Sequence, residues 1–244
     1  MTSFILKIIG IITMLSDHVG DAILGHFSPF NLIGRISFPI FAFQAVQGYI
    51  HTKDLKKHLF RLFTFAIISQ APFVLFLSTF STEFYLNVFF TFLLGLITLF
   101  LYDKCKNKVL GFLIVIIGSI VAEVIKVDYG AFGILLIFVF YFFESDFEKI
   151  FGTKSFKFSK LNIPYKKIVM AILIVLLCFA KYIPQIIHDS NLTSHYWRCG
   201  LFTSLSLIFI LAYNKKQGPK LKYFFYIFYP LHLLILYFIH IMAL

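Results

Sequence analysis

The densest group of chemically capable side chains lies near the amino terminus, in Ser16-Asp17-His18-Val19-Gly20-Asp21. Residues three apart share one face of a helix, so the carboxylate of Asp21 is expected to reach His18, whereas Asp17 points to another side. A carboxylate that holds one imidazole nitrogen fixes the tautomer and leaves the other nitrogen as a base. The spacing therefore predicts a group that deprotonates an amine or hydroxyl nucleophile. A polar helix end among lipid headgroups is the alternative interpretation of the same residues.

Polar residues within apolar stretches are costly in a membrane, and each is by default a functional-site hypothesis. Several fall at the same predicted depth as His18, which predicts a cavity at that depth. Arg35 is expected either to form an ion pair with Asp17 or Asp21 or to bind a carboxylate of the substrate. The residues assigned to substrate binding are Arg35, Gln44, Asn87, Glu123 and Asp128.

Basic and aromatic residues mark the opposite face. Arg61 follows Gly48-Tyr49 and lies among lysines, an environment that attracts an anion such as a nucleotide-containing thioester donor. In the last apolar stretch, Tyr226 and Tyr229 fall on one helical side just before His232. Plain positive charge on cytoplasmic loops and a buried packing histidine are the alternatives. The residues assigned to donor binding are Arg61, Tyr49, Lys222, Tyr226, Tyr229 and His232.

These side chains must be held by membrane helices. The 244 residues are 60% hydrophobic and 14% charged, with 34 phenylalanines, whereas soluble domains carry roughly 25% charge. A span needs about 20 mostly apolar residues, and only helices satisfy the backbone of such a segment in lipid. We therefore predict an all-α, polytopic transmembrane bundle of about nine helices (eight to ten), folded as one domain over 1–244. The predicted spans are 5–24, 33–50, 60–80, 84–102, 109–125, 129–143, 168–187, 197–213 and 223–243.

The basic residues follow the predicted topology. Of the 22 lysines and arginines, 17 fall in the even-numbered loops, two in the odd-numbered loops and three within spans. This alternation predicts even loops and the amino terminus in the cytoplasm. The net charge of +11 is therefore a topology signal, and no nucleic-acid partner is expected. Three scattered cysteines form neither a disulfide framework nor a metal-ligand pattern, so no metal is expected.

Several collinear strings carry a family resemblance. They are LKIIGIITMLSDHVG, IGRISFPIFAFQAVQGYIHTKDLKKHLFRL, SQAPF, NVFFTFLLGL, DYGAFGILL and YFFYIFYPLHLLILY. Together they resemble the TraX family of bacterial inner-membrane proteins, which acetylate the amino terminus of conjugative pilin. That family is similar to a larger superfamily of membrane acyltransferases that use acyl-CoA.

The resemblance implies a membrane-embedded acyltransferase with acetyl-CoA as donor and a pilin-like peptide, another peptide or a glycan as acceptor. It implies His18 as the base, Asp17 or Asp21 as its support, and Arg61 near the donor. It also implies a bacterial inner-membrane location, among membrane lipids. A transporter or flippase, and an assembly factor for a secreted peptide, remain alternatives that use the same buried polar residues.

The charge alternation gives a topology that labelling can test. In a background without the three native cysteines, Lys56→Cys and Lys216→Cys should react only with reagents that reach the cytoplasm. Ser28→Cys and Ser190→Cys should react with impermeant reagents added outside. Labelling of positions 28 and 56 from one side would overturn the predicted number of spans.

Overall fold

The computed structural model describes residues 1–25, 27–147, 165–219 and 221–243, and the side chain of Lys222 lies outside this description. The helices are α1 Ser3–Val19, α2 Pro29–Gly34, α3 Ser37–His51, α4 Leu55–Leu77, α5 Val88–Lys104, α6 Lys108–Val124, α7 Gly130–Tyr141, α8 Tyr165–Ala180, α9 Ile183–His188, α10 Thr193–Leu211 and α11 Lys222–Ala243. All but the six-residue α2 and α9 correspond one to one with the nine predicted spans. No strand occurs in these described ranges, so the predicted all-α bundle is confirmed.

Within the described ranges, four segments are long and apolar enough to cross a membrane: Ser3–Leu24, Leu55–Leu77, Tyr165–His188 and Tyr223–Ala243. The shorter α6 has the side-chain distribution of a membrane helix. Most of its large residues, among them Val109, Ile116 and Ile120, are exposed. Its buried face carries Gly111 and Gly118 against α5. Small residues that let two backbones approach are typical of helix contacts in lipid, where apolar burial gives no advantage. The chain is therefore a membrane protein.

The helix starts follow local capping rules. The side chain of Thr2 accepts a hydrogen bond from the backbone N–H of Ile5, and that of Asp54 accepts one from Lys57. Asn87 and Asn107 cap α5 and α6 in the same way. Each such oxygen satisfies one of the backbone donors that a first helical turn leaves unpaired.

Contacts between loops show which loops lie at each end of the bundle. At the first, which we call the basic end, the backbone N–H of Ser3 donates to Lys216 O at 2.8 Å and the hydroxyl of Tyr49 donates to Asp103 at 2.6 Å. At the other, which we call the far end, Lys126 pairs with Glu83 at 3.1 Å. The segments joined at the basic end are the amino terminus and the predicted even loops, and those joined at the far end are predicted odd loops. The contacts thus match the predicted alternation of loops.

The structure corrects three helix boundaries. The predicted span 84–102 begins only at Val88, because Leu86 forms a single β-bridge with Val127 and leaves the helical path. The span 33–50 is broken between α2 and α3. The span 168–187 is broken between α8 and α9, where a proline at the start of α9 fits the first turn of a helix.

α2 packs unusually closely against α1. A Cβ atom on Gly34 would lie 2.2 Å from the Cβ of Asp17, and one on Gly20 would lie 2.7 Å from the side chain of Asn31. Beyond Val19 the α1 backbone continues as a π-helical turn, Gly20–Leu24. π-helical turns are rare in proteins, and those that occur often lie at functional sites. Glycine is required here because the two backbones leave no room for a side chain.

Gly34→Ala should lower stability by about 1–3 kcal/mol, the range for overpacking a filled site. Asp17 is buried and held by hydrogen bonds, so it has little freedom to move aside. The measurement is thermal unfolding of the purified protein in detergent. The matched control is Gly48→Ala, whose Cβ would make an ordinary 3.4 Å contact with His58. Equal unfolding temperatures for the two variants would contradict the packing argument.

Candidate functional site

Two imidazole rings from opposite ends of the chain meet inside the bundle. His18 on α1 and His232 on α11 stack with ring centroids 5.0 Å apart, and His18 Nδ1 lies 2.7 Å from His232 Nε2. His232 is 4% exposed and His18 is half-buried. Phe76 of α4 covers His18 with a ring centroid distance of 5.0 Å. The structure therefore brings together one residue predicted as catalytic and one predicted for donor binding.

The hydrogen bonds of this pair fix its tautomers when both rings are neutral. His232 Nδ1 lies 2.8 Å from the carbonyl oxygen of Phe228, which can only accept, so Nδ1 carries the proton. His232 Nε2 is then an acceptor, and His18 Nδ1–H donates to it. The proton-free nitrogen of His18 is consequently Nε2, which is able to act as a base. A backbone carbonyl and a second imidazole thus orient His18.

This arrangement differs from the predicted support of His18 by Asp21. Asp21 lies in the π-helical turn and accepts a hydrogen bond of 2.8 Å from Asn31 Nδ2. Asp17, on another face of α1, lies 3.4 Å from the guanidinium of Arg35 and also accepts from Asn31 at 3.3 Å. The predicted ion pair of Arg35 is confirmed, whereas the expected His18–Asp21 contact is replaced by the histidine pair. The π-helical turn changes the register on which that expectation depended.

A cavity of about 640 Å³ opens at the basic end of the bundle. On α1 it is lined by Ser3, Phe4, Lys7, Ile11 and Met14. From Ser3 to Met14 is about 16 Å along a helix, so the cavity reaches deep into the bundle. On α11 the lining residues are Phe225, Tyr226 and Tyr229.

Both lining faces lead to the histidine pair. Along α1 the lining positions follow the helical repeat, and His18 is the next position after Met14 on that face. Along α11, His232 follows Tyr229 by three residues, and the two rings lie 5.8 Å apart. The cavity therefore extends from the basic end toward the two imidazoles.

Arg61 contributes positive charge to the cavity wall. Its guanidinium contacts His58 Nδ1 at 2.8 Å and lies 5.5 Å from the ring centroid of Tyr226. Lys7 and Lys215 also line the cavity, and no carboxylate does among the described residues. The combination of cations, aromatic rings and a deep apolar end suits an elongated ligand with an anionic head.

The other residues assigned to donor binding are placed differently. Tyr226 and Tyr229 line the cavity as described, and Lys222 is the first residue of α11, at the basic end. Tyr49 is adjacent to the lining residue Gly48, but its hydroxyl donates to Asp103, which also accepts from Tyr141. This contact ties α3, α5 and α7 together, and the assignment of Tyr49 to the donor stays a prediction.

A smaller cavity of about 150 Å³ lies at the far end. Its wall includes Arg35, Asn31, Tyr182 and His195. His195 Nε2 lies 3.3 Å from the thiol of Cys199, which also lines this cavity. Of the residues assigned to substrate binding, Arg35 is the one in this wall.

Three further residues assigned to substrate binding make contacts within the protein, and their assignment stays a prediction. Asn87 caps α5 and donates to Ala66 O at 2.7 Å, so its amide links α4 and α5. Glu123 accepts from the backbone N–H of Ala131 at 2.7 Å, at the start of α7. Asp128 N–H donates to Leu86 O at 2.7 Å within the β-bridge region. None of the three lines either cavity described above.

Gln44, which was assigned to substrate binding, lines the large basic-end cavity and not the far-end one. Gln47 and Lys7 line the same wall but were not assigned to a site. Polar residues recur at helical spacing along α1 and α3, and this pattern could have identified Gln47 and Lys7. The pattern alone does not show which cavity such residues line.

No group of three or more potential metal ligands occurs in the described part of the chain.

Comparison with known proteins places this architecture in a family. The model described as TraX protein matches residues 3–240. The chain is also 25% identical over 252 residues to the "Probable fimbrial assembly protein FimC, serogroup H1" of Dichelobacter nodosus, covering 96% of this chain and 94% of that protein. No solved structure matches. The chain belongs to the TraX protein family.

Proposed function

We propose that this protein is a membrane-embedded acyltransferase that takes an acetyl group from cytoplasmic acetyl-CoA and transfers it to an amine or hydroxyl acceptor at the outer face. The observation that carries the proposal is the deep cavity with a cationic mouth, whose walls lead to an imidazole pair. The proposal places the basic end in the cytoplasm, at the inner membrane of a bacterium. The acceptor is a peptide amino terminus or a glycan.

The chemistry requires one base and no metal or covalent enzyme intermediate. His18 Nε2 takes the proton of the acceptor as its nitrogen or oxygen attacks the thioester carbonyl carbon. The C–S bond then breaks, and the imidazolium of His18 returns the proton to the leaving thiolate. His232 holds His18 Nδ1–H throughout, so the charge that forms on His18 is spread toward the Phe228 carbonyl.

The relative from Dichelobacter nodosus is named as a fimbrial assembly protein, and this supports a role in fimbrial assembly for the present chain. Such a role is compatible with acyl transfer to a fimbrial subunit. It also describes the second candidate, an assembly factor without catalysis, which the same name favours. Transfer of radiolabelled acetyl from acetyl-CoA separates the two, because only the enzyme consumes the donor.

Arg61→Ala should weaken acetyl-CoA binding about tenfold or more, since hydrogen bonds to charged groups contribute roughly 1.5–3 kcal/mol. Binding by the native protein should also weaken as salt rises, because ions screen charge–phosphate attraction over about 8–10 Å. The measurement is calorimetry on purified protein in nanodiscs. Lys56→Ala, which removes an exposed charge from the same helix, is the control. Equal affinities in the two variants would move the donor's anionic group away from Arg61.

His18→Ala should abolish detectable transfer, since a positioned base contributes roughly 10²–10⁴-fold. His232→Ala should retain the base but lose the acceptor that orients it, with a smaller loss of roughly tenfold. Single-turnover transfer by purified variants measures both, and donor binding should persist in each. The control is His188→Ala, an exposed histidine at the far end. Native rates in His18→Ala would refute the mechanism.

A further inference from the structure

Two glutamines in the wall of the large cavity have buried donor groups that the protein does not use. Gln44 and Gln47 are each 8% exposed, and both line the cavity. The Nε2 atom of each has no hydrogen-bond partner among the described residues. A buried amide donor without an acceptor is costly. Two such donors in one cavity wall therefore point to acceptor atoms on a ligand.

The orientation of Gln44 is set by its neighbour. The hydroxyl of Ser3 on α1 donates to Gln44 Oε1 at 2.5 Å. Because that contact fixes the oxygen side of the amide, the NH₂ side is directed away from Ser3 with its donors unused. Gln47 lies one helical turn closer to the basic end on the same face of α3. The two amides form a row that runs along the depth of the cavity.

We propose that Gln44 and Gln47 recognise a pantetheine arm by donating hydrogen bonds to its two amide carbonyl oxygens. This inference rests on the proposed function and names the part of the donor to which these residues bind. The two carbonyl carbons of pantetheine are about 5 Å apart by standard bond lengths, close to the spacing of side chains three apart on a helix. Gln44, the deeper of the two, binds the carbonyl nearer the thioester, and Gln47 binds the one nearer the phosphates.

In this proposal, different residues of the cavity wall bind different parts of the donor. Arg61 attracts the anionic head at the mouth, whereas the glutamines hold the neutral arm. A thioester on an arm without amides would leave both donors unpaired. A site built to hydrogen-bond a ligand discriminates strongly against an analogue that lacks the matching group.

The test compares two probes on the same variants: coenzyme A, and adenosine 3′,5′-bisphosphate, which carries phosphates and adenosine but no arm. Gln44→Leu and Gln47→Leu should each weaken coenzyme A binding about three- to tenfold, the effect of one neutral hydrogen bond. Neither should change the affinity for the bisphosphate. Gln185→Leu, the same substitution in the far-end cavity, should leave coenzyme A binding unchanged. Thermal unfolding confirms that each variant is folded before its affinity is compared.

The outcomes separate this inference from the function on which it rests. Native affinity for coenzyme A in both glutamine variants would overturn the inference alone, as would an equal loss of affinity for both probes. A native protein that binds neither probe would overturn the donor site as well. A second readout uses the acetyl thioester of N-acetylcysteamine, which has one amide. Its transfer rate should fall in Gln44→Leu and not in Gln47→Leu, and the reverse result would refute the assigned order along the arm.

Discussion

The contact of Asp17 with Arg35 and Asn31 determines how the far end of the bundle is built. A carboxylate on a membrane helix needs a cation and hydrogen-bond donors close by, because lipid supplies neither. Both partners come from the short α2 and the break that follows it. Because these contacts are short, α2 packs so closely against α1 that only glycine fits at position 34. The second predicted span is consequently divided into α2 and α3. The contact between Arg35, which precedes α3, and Asp17 on α1 fixes the position at which α3 begins.

The placement of α1 and α3 determines the large cavity. Ser3 and Gln44 join these helices at the basic end, while Asp17 and Arg35 join α1 to the α2–α3 break at the far end. Between these two contacts α1, α3 and α11 line a space whose deepest lining residues on α1 and α11 are Met14 and Tyr229. The histidine pair follows these residues on the same helix faces, and His18 is adjacent in sequence to Asp17 of the ionic contact.

The sequence was sufficient for the class of fold, the number of long helices and the alternation of loops. These depend on hydropathy and charge, which act on every residue of a span at once. The pairing of side chains was harder to predict. Asp17 with Arg35 was among the alternatives, since opposite charges in lipid have few partners. His18 with His232 was not, because 214 positions separate them and nothing in either segment encodes the approach of α1 to α11.

Several residues assigned to substrate binding show why polarity alone is a weak guide to function. Asn87 and Glu123 satisfy backbone donors at helix starts, a task that a polar residue in lipid performs as readily as it binds a substrate. Gln44 shows the converse. Its role follows from the atom that is left without a partner, which is visible only when the surrounding helices are in place.

The neutral amide of Asn31 makes this site sensitive to deamidation, the slow hydrolysis of asparagine to aspartate. Its NH₂ group donates to both Asp17 and Asp21, and its oxygen accepts from Ser28. Deamidation would exchange that NH₂ for a negatively charged oxygen and would place a third carboxylate beside Asp17 and Asp21. Both acidic partners would then face an acceptor where they now have a donor. The burial of Asn31, which is 1% exposed, shields the amide from the water that hydrolysis of an amide requires, so the fold protects the side chain that joins Ser28, Asp17 and Asp21.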